Sequence, residues 1–166
     1  MTPFISEEII EQQLSLLEAE NEQVEQHIDS FAKKQPILFS YLLSEGFDIL
    51  TNEEQQLLIY LALVIFKSVE SKHKDMPSIA QESLGDKEEQ NWELLNDSVG
   101  KSFRERLDIF FKDYPQEDLL AFAEDALTLD EKETAGVLTK EGREPIFIGL
   151  KTIIDVLTGN FVSEKK

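Results

Sequence analysis

The sequence predicts a single all-α domain of six or seven helices, arranged as a bundle or an orthogonal array. Apolar residues recur at spacings of three and four along most of the chain, and no long stretch shows the period of two expected for a half-buried strand. The chain has 166 residues, of which 41% are hydrophobic, enough for one core. Its seven glycines and five prolines lie mostly where helices would begin or end. We therefore expect one domain over residues 1–166, with frayed ends at 1–4 and 162–166.

A long first helix is predicted from about Pro3 to Lys33. Its apolar residues are separated by four and three residues in turn, which is the a/d seam of a heptad pattern, with one asparagine at an a position. The positions beside the seam are mostly glutamate, which disfavours pairing of two copies along this helix. The seam is expected to pack on the chain's own helices or on a partner with basic flanks. It consists of Ile10, Leu14, Leu17, Asn21, Val24, Ile28 and Phe31.

The third predicted helix, over about 52–71, is expected to lie buried at the centre of the domain. Thr51 and Glu54 have the spacing of a capping box, which predicts where this helix begins. The run from Leu57 to Phe66 makes the helix apolar on every side, so other helices must surround it. The same run is too short to span a bilayer.

The other predicted helices are delimited by proline, glycine and capping residues. Pro36 suits the first turn of a second helix, and Gly46 suits the position just after its end. Asp86 and Glu89 have the spacing of a cap pair, which predicts a new helix after Gly85. The later predicted elements are a short helix over 78–84, a helix from Asp86 that carries Trp92 and Phe110 and bends at Gly100, a helix opened by Pro115, a weak segment from Asp130 to Thr139, and a last helix from Arg143 to Leu157.

The charge of the chain excludes two classes of partner. Thirty-four Asp and Glu against sixteen Lys and Arg give a formal net charge of −18. Such a field repels nucleic acid and anionic membranes, because both need a positive surface to bind. It would attract basic proteins or cations, although the preferred interpretation is that the charge only maintains solubility. The first residues also lack the basic start and apolar stretch of a signal peptide, so a cytoplasmic location is expected.

No catalytic constellation is evident. The chain has no cysteine and two histidines, which removes thiolate nucleophiles, disulfides and Cys-based metal sites. Gly100-Lys101-Ser102 resembles the end of a phosphate-binding loop, but the earlier glycine and the preceding strand are missing. Arg143 and Glu144 are interpreted as the cap of the last helix. The sequence therefore favours a protein that is not an enzyme, and it predicts no cofactor.

One spacing is compatible with a metal site. Glu70 and His73 are three residues apart, as in the Glu-x-x-His motif of carboxylate-bridged di-iron bundles. The second such pair is missing, because the residue three before the other histidine, His27, is Val24. An exposed helix C-terminus is the preferred interpretation of the pair. Glu70, His73 and His27 remain candidate ligands of a site with non-standard spacing.

Three hypotheses for the function follow. The preferred one is a non-enzymatic helical protein-interaction module (an adaptor, regulator or inhibitor) whose protein partner is basic. Its candidate contact residues lie on the seam of the first helix, at Leu17, Asn21 and Val24. The alternatives are a metal- or small-ligand-binding helical bundle, and an acidic mimic of nucleic acid charge that binds a basic protein. Neither nucleic acid nor a membrane is expected as a partner, and the chain is expected to be a monomer or a homodimer.

Overall fold

The fold is all-α in a computed structural model that describes residues 3–128 and 138–159, and no strand occurs in these ranges. The predicted fold class is confirmed. The predicted segment from Asp130 lies almost wholly outside the described residues, as do 1–2 and 160–166. None of the described helices has both the length and the apolar content needed to cross a membrane. The α-helices in these ranges are α1 (Glu7–Ala19), α2 (Val24–Lys34), α3 (Pro36–Leu42), α4 (Asn52–Glu70), α5 (Gln81–Asn96), α6 (Phe103–Phe111), α7 (Glu117–Thr128) and α8 (Lys140–Leu157).

The predicted long first helix is divided into two helices. A 3-10 helix at Asn21–Gln23 separates α1 from α2, so the heptad register is lost there. The prediction of a continuous seam with a buried asparagine is wrong, because Asn21 is exposed. No large apolar side chain lies between Leu17 and Val24, so nothing holds this stretch against the core as a helix. The break lets α1 pack against α4 and α7 while α2 packs against α3 and α4.

The predicted capping box and central position of α4 are both confirmed. The Thr51 hydroxyl accepts a hydrogen bond from the Glu54 N–H (3.1 Å), and the Glu54 carboxylate accepts one from the Thr51 N–H (3.0 Å). Every residue from Leu61 to Phe66 is buried. Helix α8 shares the centre of the domain, since every residue from Ile146 to Leu157 is buried and the helix packs against α4, α5 and α7.

Two helix boundaries in the middle of the chain differ from the prediction. Helix α5 continues through Gly85, so the predicted break between residues 84 and 86 is wrong. Glycine inside a helix costs only about 1 kcal/mol, which the packing of buried residues on α5 can offset. The chain is interrupted later, between α5 and α6, where Gly100 has a φ of +130°. Ser102 and Glu105 form the capping box that begins α6, so the predicted bend is a full break.

Helix α8 begins before its predicted start at Arg143, because the side chain of Thr139 caps it. Arg143 and Glu144 therefore do not form the cap. The Arg143 guanidinium lies over the ring of Phe103, 4.8 Å from its centre. Glu144 forms an ion pair with Arg106 at 2.8 Å. Both residues join α8 to α6.

A close contact between α8 and the 3-10 helix Glu45–Phe47 gives a stability prediction. A Cβ atom on Gly149 would lie 2.8 Å from the ring of Phe47, whose side chain is buried. We expect Gly149→Ala to lower the free energy of unfolding by about 1–3 kcal/mol. Gly85→Ala is the matched control, because Gly85 is also helical and has nothing within 4 Å of its Cβ position. This control is expected to raise the free energy of unfolding by about 0.5–1 kcal/mol.

Urea unfolding of both alanine variants, followed by circular dichroism, measures the difference. Equal changes in the two variants would contradict the close approach of α8 to Phe47.

Candidate functional site

A groove lies between α1 and α7, with α4 beneath it, and it is called the α1–α7 groove below. It encloses about 490 Å³ and is lined on these three helices mainly by apolar side chains. Acidic residues lie on the two outer helices, α1 and α7. The apolar lining includes Ile10, Leu14, Leu57, Leu61, Phe122 and Ala126.

Hydrogen bonds between the starts of α1 and α7 place these two helices side by side. The Gln116 side chain accepts a bond from the Ile5 N–H and donates one to the Pro3 carbonyl, both at 3.0 Å. The Asp118 carboxylate accepts a bond from the Glu7 N–H at 3.0 Å. Pro3, which belongs to the segment predicted to fray, thus contacts the start of α7. The two helices form the walls of the groove from this end.

Both walls of the groove carry negative charge. Glu7 and Glu11 lie on α1, while Asp118 and Asp125 lie on α7, and the lining within the described residues contains no Lys, Arg or His. Asp125 forms an ion pair with Arg104 at 3.1 Å. The other three carboxylates form no ion pair with any residue in the described ranges. The groove therefore combines an apolar floor with acidic walls that are mostly uncompensated.

The predicted partner-contact residues do not line this groove. Leu17 is 1% exposed and belongs to the core, Asn21 is exposed in the 3-10 helix, and Val24 is half-buried on α2. The structure therefore does not bring the three together on one surface. Two earlier members of the same predicted seam, Ile10 and Leu14, do line the groove.

The predicted metal ligands are not assembled into a site. Glu70 accepts a hydrogen bond from the Lys34 ammonium at 2.6 Å. His27 lies 2.8 Å from a carboxylate oxygen of Glu20. His73 follows the end of α4, where its N–H bonds to carbonyls of that helix. In the described part of the chain, no group of three His, Cys, Asp or Glu side chains is placed to hold a metal ion.

A second cleft, of about 650 Å³, lies over a buried polar network between α5 and α8. The Lys151 ammonium donates to Asp155 at 2.8 Å and to the Asn91 carbonyl oxygen at 3.0 Å. The Asn91 amide donates to Thr152 and Asp155, and the Tyr114 hydroxyl donates to the other Asp155 oxygen. No buried side-chain nitrogen or oxygen in the described ranges lacks a hydrogen-bond partner. The network therefore joins α5, the α6–α7 connection and α8.

The protonation states in this network follow from its burial. Burial lowers the pKa of the Lys151 ammonium, and the carboxylate of Asp155 opposes that shift. Burial and the same carboxylate raise the pKa of Tyr114 well above its usual value. The Tyr114 hydroxyl consequently keeps its proton at neutral pH and remains a donor to Asp155.

Sequence reasoning missed both the groove and the network. Lys151 and Asp155 stand four residues apart within the apolar last helix, and a charged pair inside such a run was the available signal. The groove had no comparable signal, because its residues come from three helices that are distant in the sequence. Glu11, for example, looks like an ordinary surface position of α1, and Tyr60 falls within the run that was predicted to be buried.

Comparison of the chain with protein-family models, curated proteins and solved structures finds no match. Function is therefore inferred from the side chains of this chain.

Proposed function

We propose that the protein is a helical interaction module that binds a basic amphipathic helix of a partner protein in the α1–α7 groove. The observation that carries this proposal is an apolar floor between two carboxylate walls. A helix laid in the groove buries its apolar face on the floor, and its flanking Lys and Arg side chains reach the walls. The net charge of −18 adds a long-range attraction for such a segment.

The dimensions of the groove suit two turns of a helix. On α7 the lining extends from Asp118 to Ala126, which corresponds to about 12 Å along the helix axis. On α1 it extends from Glu7 to Leu14, which is a similar length. A partner helix of this length presents apolar anchors at positions i, i+4 and i+7, with basic residues on both sides of that stripe.

A synthetic peptide tests the proposal directly. The probe is a fluorescent Leu/Lys amphipathic helix of about 18 residues, and the comparison is a Leu/Glu peptide with the same apolar face. We expect the Leu/Lys peptide to bind and the Leu/Glu peptide not to bind. Ala121→Phe fills the groove from the α7 side and is expected to weaken binding by about tenfold or more. Fluorescence anisotropy measures the dissociation constants, and Ala126→Phe provides a second way of filling the groove.

A matched pair of charge variants separates local contact from diffuse attraction. Glu11 lines the groove, whereas Glu8 is exposed on the same helix and does not line it. Both Glu11→Lys and Glu8→Lys change the net charge equally. At low salt we expect Glu11→Lys to weaken binding about five- to tenfold and Glu8→Lys about twofold or less.

The salt dependence distinguishes this function from the mimicry of nucleic acid charge. Contacts with the apolar floor persist when salt screens the walls, so part of the affinity should remain at about 300 mM salt. Binding that disappears at that salt, responds equally to both lysine variants and ignores Ala121→Phe would overturn the proposal. That result would favour a charge mimic.

A further inference from the structure

Two of the three tyrosine hydroxyls are paired inside the protein, and the third tyrosine lines the groove. Tyr41 donates to Glu88 at 3.0 Å, and Tyr114 donates to Asp155. Tyr60 is on α4 and lines the α1–α7 groove. Its hydroxyl forms no hydrogen bond with any residue in the described ranges. One residue of an otherwise apolar floor therefore carries a hydroxyl for which the described residues supply no partner.

The negative charge of Glu18 acts on the same hydroxyl. Glu18 lies one turn beyond Leu14 and two turns beyond Glu11 on α1, just past the residues that line the groove. It is exposed and forms no ion pair with a described residue. Burial, and then the charge of Glu18, raise the pKa of Tyr60. The phenol is therefore neutral at physiological pH, and its oxygen lies in a negative field that favours a cationic donor.

We infer, on the basis of the proposed function, that the groove selects a partner helix with a lysine or arginine within its apolar face. The cationic head group donates to the Tyr60 hydroxyl oxygen and to the Glu18 carboxylate, while its aliphatic stem lies on the apolar floor. A wholly apolar face would cover the Tyr60 hydroxyl without giving it a hydrogen bond, and that loss opposes binding. An acidic residue at the same place would be repelled by Glu18.

Two peptides that differ at one position test this inference. Both carry the Leu/Lys pattern described above, with either lysine or methionine at the central position of the apolar face. We expect the wild-type protein to bind the lysine peptide about five- to tenfold more tightly. Tyr60→Phe removes one oxygen atom and Glu18→Gln removes one charge, and each variant is expected to lose most of this preference.

Two control variants report on the same changes outside the groove. Tyr41→Phe removes a tyrosine oxygen that does not line the groove, and Glu22→Gln removes an exposed charge in the 3-10 helix beside α1. Both are expected to keep the wild-type preference for the lysine peptide. Circular dichroism shows whether each variant is folded.

The outcomes separate this inference from the proposed function. If Ala121→Phe abolishes binding but Tyr60→Phe and Glu18→Gln discriminate the peptides as the wild type does, the inference is overturned and the proposed function stands. If neither peptide binds, or both bind regardless of Ala121→Phe, both fail. Loss of the preference in Tyr60→Phe and Glu18→Gln, with the two controls unchanged, supports the inference.

Discussion

Replacing Asp155 with leucine is expected to lower the free energy of unfolding by about 3–5 kcal/mol, the cost of leaving a buried charge without its counter-charge. The side chains of Lys151 and Asp155 are 8% and 5% exposed, so both charges are largely removed from water. The substitution also removes the carboxylate that accepts hydrogen bonds from Asn91 and Tyr114. Urea unfolding at neutral pH, followed by circular dichroism, measures the change.

Two further variants show whether the cost arises from burial. The double variant Lys151→Met/Asp155→Leu removes both charges together and is expected to recover part of the loss, since Asn91 and Tyr114 still lack their acceptor. Glu70→Ala breaks the more exposed ion pair with Lys34 and is expected to cost about 1 kcal/mol or less. If Asp155→Leu proved no more destabilising than Glu70→Ala, the network would not be what holds α5 against α8.

The sequence was sufficient to predict α4 because both of its determinants are local. The capping box of Thr51 and Glu54 sets where the helix begins, and the apolar run from Leu57 to Phe66 requires neighbouring helices, which bury Leu58 and Leu61 to Phe66. These signals do not depend on which helices become its neighbours. The fold class followed for the same reason, since helical spacing is a property of each segment alone.

The predicted helix boundaries were wrong where a local sequence signal competed with packing between helices. Asp86 and Glu89 have the spacing of a cap, yet α5 continues through them because buried residues on both sides of Gly85 share one face. Asn21 fits a heptad position, yet the polar stretch around it has no large apolar side chain that could pack against the core. Neither outcome could be decided without knowing the neighbouring helices.

The candidate site was beyond sequence reasoning for a related physical reason. The groove exists because α1 and α7 begin side by side, and that arrangement depends on Gln116 and Asp118 bonding to backbone more than a hundred residues earlier. Similarly, Lys151 and Asp155 are a charged pair within an apolar helix, but the sequence does not show that Asn91 of α5 is their partner. The acidic charge of the chain was evident from composition, but its placement around an apolar floor was not.

The carboxylate of Glu54 joins the starts of two helices. One of its oxygens accepts the Thr51 N–H at 3.0 Å, at the start of α4. The other accepts the N–H (2.6 Å) and the hydroxyl (2.7 Å) of Thr139, which is 85 residues away and caps α8. The side chain is fully buried. A Cβ atom on Gly142 would lie 2.3 Å from this carboxylate, so glycine leaves the room that the carboxylate occupies.

Glu54→Ala is therefore expected to lower the free energy of unfolding by about 2–4 kcal/mol, because the starts of two helices lose the carboxylate that accepts hydrogen bonds from Thr51 and Thr139. Glu53→Ala is the matched control, since Glu53 is an exposed glutamate in the same turn. Its loss removes only a favourable interaction with the helix dipole and is expected to cost about 1 kcal/mol or less. Equal losses in the two variants would contradict the bridging role of Glu54.

The cost of Glu54→Ala should also depend on pH in a defined direction. Burial by itself raises the pKa of Glu54, but the hydrogen bonds from Thr139 and Thr51 together outweigh burial and hold the pKa below its usual value of 4.5. Because the folded-state pKa is the lower one, the stability contributed by ionised Glu54 is fully present above pH 4.5 and is lost as pH falls through the folded-state pKa. The contribution of Glu54 is therefore measured as the difference in stability between the wild type and the variant at each pH. That difference should shrink between pH 7 and about pH 3, whereas a constant difference would mean that Glu54 acts through its packing and not through its charge.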